Sequence, residues 1–374
     1  MAEKDESGIQ HARKIASQFC IGGKILEAEP YGSGHINDTY AVTAADGNER
    51  TRWLFQRINS GVFKNVEALM DNILRATSHI RTKLESDTSR NPDREVLTLI
   101  PTKEGAPYLQ TEDGEYWRCY IFIDNATSYD ICREPEQAFE AARAFRSFEA
   151  SLSDLPTEIF HETIPFFHHS PKRFEALEKA ITEDPCNRAA GAKPEIAFAT
   201  DRKDMTEQVV KLMEKGAIPR RITHNDTKLN NVLIDNSTGK AACVIDLDTI
   251  MPGSILYDFG DLVRTSTPTC MEDEPELDKV DMSMDLFEAL VKGYLEEASF
   301  ITKPELEHLA FSGRLITFTI GIRFLADYLA GDTYFRIHRP NHNLERARVQ
   351  FKLVDLMEKR AEAMEALVLK HWTQ

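Results

Sequence analysis

The segment of residues 221–261 constrains the fold of this 374-residue chain more than any other part of the sequence. Within it, Asp226 follows His224 by two residues and precedes Asn231 by five. Another aspartate, Asp246, ends an apolar run fifteen residues after Asn231. Polar side chains between buried strand residues are costly unless they have a partner. The spacing therefore predicts a loop and a following strand whose polar side chains act together.

This spacing is typical of the catalytic loop and metal site of kinases. In such a site the first aspartate, here Asp226, accepts the proton of the substrate hydroxyl. Asn231 turns back to hold Mg²⁺, and Asp246 binds the metal ion that bridges the phosphate oxygens. Surface turns also favour asparagine and aspartate, but the later acidic segment at 258–261 favours the catalytic interpretation. We predict Asp226 as the base and Asn231 and Asp246 as metal ligands.

Five neighbouring side chains have supporting or alternative roles. Lys228 could place a cation on the transferring phosphoryl group as a second catalytic residue, with a solvated surface lysine as the alternative. His224 fits a structural support of the loop better than a chemical role. Asp248 is either a second metal ligand or a capping residue. Asp258 and Asp261 are expected to brace the catalytic loop from the start of a helix.

The charge balance disfavours several classes of partner. The chain has 61 acidic and 45 basic residues and a formal net charge of −16, whereas duplex nucleic acid and anionic membranes are bound mainly through lysine and arginine. No uninterrupted apolar run approaches the ~18 residues of a membrane span, and the polar N-terminus gives no secretory signal. The six cysteines are scattered without a Cys-x-x-Cys pair, as reduced thiols would be. We expect a cytoplasmic enzyme with small-molecule partners, no nucleic acid and no membrane.

Local patterns divide the chain into two lobes. Residues 1–124 are predicted as strands, including one at Glu95–Ile100, with Asp-Gly hairpin turns and a helix near Asn65–Leu84. Residues 125–374 are mostly helical by their apolar spacing. We predict an α+β, two-lobed protein-kinase-like fold, in which a small antiparallel β-rich lobe binds nucleotide. The large helical lobe would carry the catalytic loop, the metal site and the acceptor site.

The turn Gly32-Ser33-Gly34 lies between two predicted strands. Glycines let backbone amides approach phosphates closely, so this turn is predicted to cover the nucleotide phosphates, with a plain hairpin turn as the alternative. Kinases place a phosphate-pairing lysine on a following strand. Here that position holds Gln56 or Arg57, and Arg57 is the cationic candidate. No Gly-x-x-x-x-Gly-Lys loop exists, which excludes a P-loop site.

With these motifs, the chain resembles the aminoglycoside phosphotransferase-like kinases, a family that includes choline, homoserine and methylthioribose kinases. Within it, the strings Asp-Thr-Lys-Leu-Asn-Asn and Asp-Leu-Asp-Thr-Ile-Met-Pro-Gly-Ser are most similar to those of bacterial N-acetylhexosamine 1-kinases. The resemblance implies ATP- and Mg²⁺-dependent phosphorylation of GlcNAc or GalNAc at the anomeric hydroxyl. The resembling segments are Pro30–Asn37, Thr223–Asn231, Ile245–Ser254, Asp258–Asp261 and Arg323–Asp332.

The resemblance also implies where the ligands bind. In this family the nucleotide lies between the lobes and its adenine bonds to the linker backbone, here near Ile121 and Ile123. The sugar would bind in the helical lobe beside the base. Arg323 lies in an apolar helix, and a buried arginine needs a partner or a ligand, so a structural salt bridge is the alternative for it. The positions implied to contact the sugar are His35, Asp226, Arg323 and Tyr334.

Two other functions stay open on the sequence. The first keeps the kinase fold but changes the acceptor to another small hydroxyl compound, such as a different sugar, an amino alcohol or an aminoglycoside. The second is a non-catalytic nucleotide-binding module. Retention of Asp226, Asn231 and Asp246 together disfavours the module, because a degenerate fold has no need of all three.

Overall fold

Five strands in the N-terminal part of the chain form one sheet in the computed structural model, which describes residues 2–32 and 36–372. The strands are β1 (Lys24–Pro30), β2 (Asp38–Asp46), β3 (Glu49–Ile58), β4 (Leu109–Gln110) and β5 (Tyr116–Ile121). They pair antiparallel in the order β1-β2-β3-β5-β4. The predicted Asp-Gly turn joins β2 and β3, and Gly47 has the positive φ of 59° that a tight hairpin favours.

Helices lie on both sides of this sheet. They are α1 (Ala2–Ala16), α2 (Val66–Glu85) and α3 (Pro92–Glu95). Ile15 of α1 packs in a small core with Phe55 of β3 and Trp117 of β5. By contrast, α2 contributes Leu69 and Ile73 to the main core, which continues into the helical part of the chain. The sheet is therefore covered on one face by α1, and its other face is turned towards the rest of the protein.

The strand predicted at Glu95–Ile100 is wrong. Pro92 begins the short helix α3 instead, as proline does at a first helical position. Beyond that helix, Leu99 alone forms a single bridge, to Tyr120. An apolar run of this length predicts burial but does not by itself predict strand pairing. The segment does place Val96 and Leu97 in the core.

The C-terminal part consists mainly of helices. Its longest helix, α11, packs against α5, α8 and α12, while α4 packs against α9. A β-carbon on Gly293 would lie 2.2 Å from the carbonyl oxygen of Phe139, so this glycine permits the close approach of α9 to α4. The helices are α4 (Pro135–Leu152), α5 (Ser170–Glu183), α6 (Lys193–Thr200), α7 (Gln208–Glu214), α8 (Ile255–Ser266), α9 (Met284–Leu295), α10 (Lys303–Glu307), α11 (Leu309–Ala330), α12 (His342–Lys359) and α13 (Ala361–His371).

Short strands frame the segment that the sequence singled out. They are β6 (Ala126–Thr127), β7 (Arg221–Thr223), β8 (Val232–Asp235), β9 (Ala241–Val244) and β10 (Met251–Gly253). β7 pairs with β10, and β8 lies between β6 and β9. β7, before the predicted catalytic loop, thus pairs with the strand that follows Asp246, and β8, after the loop, pairs with the strand that leads to Asp246. The predicted fold class, an antiparallel β-rich lobe followed by a mostly helical lobe, is confirmed.

Helix α11 is the one helix in the described part of the chain that is long and apolar enough to cross a membrane. Of its most apolar window, 72% is buried inside the protein. That burial is typical of a core helix and gives no indication of a membrane span.

Candidate active site

The backbone of the predicted catalytic loop is held by one carboxylate. Asp258, in the first turn of α8, accepts hydrogen bonds from the backbone N–H groups of His224 and Asn225, both at 2.7 Å. The His224 ring bonds through Nε2 to the carbonyl oxygen of Ile245 at 2.9 Å and accepts the N–H of Asp226 at Nδ1. His224 therefore links the loop to the strand before Asp246, which supports its structural role.

Asp226, Lys228 and Asn231 meet as the sequence predicted. The Lys228 Nζ lies 2.9 Å from Oδ2 of Asp226, and the Asn231 side-chain amide donates to the same oxygen at 3.1 Å. Burial opposes ionisation of Asp226, but the charge and hydrogen bond of Lys228 outweigh it and lower the pKa of the carboxyl group. Asp226 is therefore an ionised, partly exposed carboxylate with a cation beside it, suited to orient a hydroxyl group.

Asp246 stands at the end of β9 in a left-handed backbone conformation, with φ 61°. Among the described residues no donor bonds to its carboxylate. Desolvation by the surrounding protein and the nearby charges of Asp248 and Asp226 raise the pKa of this carboxyl group, which stays accessible to solvent, to about 7. The side-chain oxygen of Asn231 likewise accepts no hydrogen bond from the described residues. An unpaired carboxylate and a free amide oxygen are hard oxygen donors, so this pair fits Mg²⁺.

Unlike Asp246, Asp248 has its carboxylate bound by protein donors. One of its oxygens forms a buried ion pair with Arg118 of β5, and the other accepts the side-chain amide of Asn37 at 2.5 Å. Arg118 also donates twice to the side-chain oxygen of Gln56, at 2.9 and 2.7 Å. Both Asp248 oxygens thus have protein donors. The carboxylate joins the sheet and the end of the glycine turn to the strand that carries Asp246.

Arg118 is the residue that the sequence reasoning missed. It lies directly opposite Gln56 in the pairing of β3 with β5, next to the strand position where kinases place a lysine. The signal was present, because Arg118 is the one charged residue in the otherwise apolar and aromatic strand β5. Arg57 is not brought to this cluster: successive strand residues face opposite sides, and its guanidinium pairs with Asp38 and Glu115. Its assignment to the nucleotide phosphates stays a prediction.

Arg323 and Tyr334 do come together. The Arg323 guanidinium lies 5.4 to 5.8 Å from the ring centres of Phe167, Tyr334 and Phe335. Its hydrogen bond to the Tyr334 hydroxyl is long, at 3.5 Å. Within the described residues no carboxylate pairs with Arg323, so the salt-bridge alternative has no partner there. The charges of both Arg323 and Asp226 act on the buried ring of His168, which places the two residues in one region.

The loop that carries Tyr334 is fixed by Asp327 of α11. The Asp327 carboxylate accepts the backbone N–H groups of Thr333, Tyr334 and Phe335 at 2.8 to 2.9 Å, and the side-chain amide of Asn343 at 2.9 Å. With a longer hydrogen bond from the Thr333 hydroxyl at 3.4 Å, these donors occupy the carboxylate oxygens, and no arginine pairs with Asp327 among the described residues. The Tyr334 side chain itself is 70% exposed and stands at the rim of the region.

The predicted nucleotide contacts lie in the part of the chain nearest the sheet. Gly32 has a φ of 79°, a conformation that favours glycine. Ser33, Gly34 and His35 lie outside the described residues. Ile121 is the last residue of β5, and its N–H donates a hydrogen bond to the carbonyl oxygen of Thr98 at 3.0 Å. The backbone of Ile123 has no hydrogen-bond partner among the described residues, which leaves its N–H and carbonyl free for a base.

Comparison with known proteins settles the family. The sequence profile of the phosphotransferase enzyme family matches residues 27–289. The chain belongs to this family. The match includes the glycine turn, the catalytic loop and Asp246, so the resemblance stated from the motifs is confirmed at family level.

Solved structures agree on the fold. An aminoglycoside phosphotransferase from Alicyclobacillus acidocaldarius aligns with a TM-score of 0.60 and 14% identity, over 96% of each chain. A microcompartment-associated aminopropanol kinase aligns with a TM-score of 0.59 and 17% identity, over 95% of this chain and 98% of its own. A spectinomycin phosphotransferase, solved with ADP and spectinomycin, has a TM-score of 0.58 and 15% identity, with the same coverage. These likenesses establish a fold shared with small-molecule kinases. They fit the broader alternative, a kinase of some small hydroxyl compound, better than N-acetylhexosamine in particular.

Proposed function

We propose that the protein transfers the γ-phosphoryl group of ATP to a hydroxyl group of a small, non-cationic acceptor, and that this acceptor is an N-acetylhexosamine phosphorylated at its anomeric hydroxyl. Asp226 orients and deprotonates the hydroxyl, and Lys228 places positive charge on the transferring group. Family membership supports the phosphotransfer. The choice of an N-acetylhexosamine rests on the motif resemblance and on the charge of the acceptor region.

The positive charge of the acceptor region is the single observation on which the proposed class of acceptor rests. Arg323 and Arg173 lie near each other, and neither has a carboxylate partner among the described residues. Two acidic groups of this part of the protein have other partners, since Asp261 pairs with Arg264 at 2.7 Å and Asp327 holds the Tyr334 loop. A protonated amine entering this region would meet two unneutralised cations. An uncharged sugar instead offers hydroxyl and amide oxygens to the arginine donors and apolar ring faces to the aromatic side chains.

The nucleotide would bind between the sheet and the helical lobe, with residues 1–124 providing the glycine turn and the linker backbone. The free backbone groups of Ile123 support an adenine contact there. Asn231 and Asp246 would hold Mg²⁺, which when bound neutralises charge on the phosphate oxygens. Among the described residues no three acidic, histidine or cysteine side chains form a metal cluster, in keeping with a Mg²⁺ ion that keeps water and phosphate ligands. All six cysteines are free thiols, which supports a cytoplasmic location.

An acceptor screen tests the proposal. The protein is incubated with ATP and Mg²⁺ and separately with GlcNAc, GalNAc, glucose, aminopropanol, choline and an aminoglycoside, and ADP release is measured. We expect turnover with an N-acetylhexosamine and a background rate with the three cationic compounds. The product should show phosphorus coupling to the anomeric proton and a loss of reducing ends. Coupling to the C6 protons, or turnover confined to a cationic acceptor, would contradict the proposal.

A further inference from the structure

An open groove of about 330 Å³ lies between α5 and α11. Its walls are formed mostly by small and aromatic side chains, including Ala176, Ala326 and Phe335. Arg323 of α11 lines one wall, and Arg173 and Lys179 of α5 line the other. The groove therefore extends the acceptor region. Of the predicted site residues, Arg323 and Tyr334 line it.

The two arginines that line this groove have no acidic partner among the described residues. Arg173 donates through Nε and one terminal nitrogen to a single backbone carbonyl, that of Phe167, at 3.3 and 3.0 Å. Besides its three aromatic contacts, Arg323 forms one hydrogen bond there, the long one to Tyr334. Burial and mutual repulsion lower the pKa of Arg173 to about 10. In a protein with a net charge of −16, two close guanidinium groups that lack a carboxylate are a costly arrangement.

Neither acidic residue of the groove forms an ion pair with these two arginines. The Asp327 carboxylate accepts its hydrogen bonds from its own loop and from Asn343. Glu183 lies 3.8 Å from Lys179, with both side chains more than half exposed. Arg173 and Arg323 therefore both line the groove without a carboxylate partner among the described residues. Planar guanidinium groups match carboxylate oxygens in a two-point geometry.

We propose that this groove is an anion subsite, in which Arg173 and Arg323 hold a carboxylate-type group carried by the acceptor. The inference rests on the proposed function and narrows it: the preferred acceptor is an N-acetylhexosamine that bears an anionic substituent. The sugar ring then lies by Arg323 and Tyr334 within reach of Asp226, and the substituent extends along α5. The wall opposite Arg323 supplies the second cation that a neutral hexosamine would not require.

Paired acceptors test the proposal. The kcat/KM of neutral GlcNAc is compared with that of GlcNAc carrying a carboxymethyl ether at O3 and with its C6 uronic acid. In the wild-type protein we expect at least one anionic acceptor to exceed GlcNAc by tenfold or more. The Arg173→Gln variant should bring that ratio to within twofold of one. Lys172→Gln is the matched control, because Lys172 precedes Arg173 on the same helix but pairs with Glu175 at 2.8 Å, and it should keep the wild-type ratio. A wild-type preference for neutral GlcNAc over both anionic acceptors, or an unchanged ratio in Arg173→Gln, would overturn the subsite.

A binding measurement separates this outcome from failure of the proposed function. Glucuronate and glucose are titrated into the full protein without nucleotide, at constant ionic strength, and the thermal midpoint is followed. Glucuronate should raise the midpoint of the wild-type protein and of Lys172→Gln but not that of Arg173→Gln, while glucose should have a smaller effect. This result without turnover of any hexosamine would leave the anion subsite standing and reject the hexosamine kinase. If glucuronate has no effect and GlcNAc is the only acceptor turned over, the anion subsite is rejected and the hexosamine kinase stands.

Discussion

Arg118 and Asp248 form an ion pair with 1% and 5% of their side chains exposed, and this pair joins β5 to the turn that begins at Asp246. Burial disfavours the charged guanidinium, but the carboxylate of Asp248 raises the pKa of Arg118, so the pair is ionised. Asp248 also holds Asn37 at the end of the glycine turn. One carboxylate thereby links Asn37 and β5 to the turn that begins at the predicted metal ligand Asp246.

Arg118→Ala should destabilise the protein by about 3–5 kcal/mol, because it leaves Asp248 buried without a counter-charge. The free energy of unfolding is measured by urea titration. Arg75→Ala is the control, since Arg75 forms an exposed pair with Asp71 one helical turn away, and solvent screens such pairs so that they contribute little to stability. A loss below about 1 kcal/mol for Arg118→Ala would show that the buried pair is dispensable.

The catalytic loop was predictable because its residues lie close in sequence. The spacing from Asp226 to Asn231 is local, and the apolar run at Val232–Asp235 predicts a short strand, which is β8 with the same bounds. Arg118 was missed because its partner Asp248 is 130 residues away, and no local pattern reports such a contact. The missing ion-pair partner of Arg323 was equally invisible, since it depends on which residues the fold places around the guanidinium, among them Phe167 from a segment far away in the sequence.

Prediction of secondary structure failed where tertiary packing determines the bounds of a helix. The pattern at Glu195–Lys215 predicts one helix, but the chain forms α6 and α7 with a 3₁₀ turn between them, at Lys203–Glu207. Apolar spacing continues through that turn because Met205 is buried, so periodicity alone does not report the break. The sequence pattern did not predict helix α1. Its apolar face is short, and it is buried because the helix packs against the sheet.

Asp226→Asn should lower kcat by at least about a hundredfold, the low end for loss of a positioned base. The KM of the acceptor should change far less, because the amide keeps the shape of the side chain and the other acceptor contacts remain. Steady-state kinetics with the acceptor found in the screen provide the measurement. Asp281→Asn, at an exposed carboxylate that pairs with Arg360, is the control and should keep wild-type kcat. A turnover close to wild type in Asp226→Asn would reject the base.

Asp246→Asn and Asn231→Ala should both raise the Mg²⁺ concentration that gives half-maximal activity, by about tenfold or more. Asp246→Asn removes the negative charge of one oxygen donor and Asn231→Ala removes the other donor, and neither oxygen donor has a hydrogen-bond partner among the described residues. Activity is titrated with MgCl₂ at saturating ATP. Asn230→Ala is a matched control, because Asn230 adjoins Asn231 but bonds to the exposed side chain of Asp130. Identical Mg²⁺ curves for all four proteins would refute the metal site.

Arg323→Ala should raise the KM of the acceptor by about tenfold or more and leave the KM of ATP within twofold. Its guanidinium faces the groove and the aromatic side chains, whereas the predicted nucleotide contacts lie on the sheet and the linker. Arg314→Ala, on the same helix but with its guanidinium over Phe311, should leave both constants unchanged. Circular dichroism confirms that each variant is folded. A folded Arg323→Ala protein with normal acceptor KM would return Arg323 to a structural role.

The pH dependence of stability should report a proton buried behind the catalytic loop. Glu149 of α4 is 2% exposed, accepts the hydroxyl hydrogen of Tyr294, and otherwise contacts the carboxyl group of Asp258. Two acids in contact in a buried site share a proton. Burial, followed by the charge of Asp258, raises the pKa of Glu149 well above its ordinary 4.5, and burial raises that of Asp258 to about 6. Glu149 is therefore the protonated partner that lets Asp258 hold the loop.

From this proton we predict the behaviour of Glu149→Gln. Above pH ~4.5 the unfolded chain has released the Glu149 proton while the folded protein keeps it, so the contribution of Glu149 to stability falls as the pH rises towards the folded pKa. Glutamine binds no proton, and the stability of the variant relative to wild type should rise by up to about 1.4 kcal/mol per pH unit. Urea midpoints at pH 5, 6 and 7 measure the difference. Glu207→Gln serves as the control, because Lys211 lowers the pKa of Glu207 and both states are ionised above pH 5.5. Parallel stability curves for wild type and Glu149→Gln would mean that Glu149 is ionised in the folded protein.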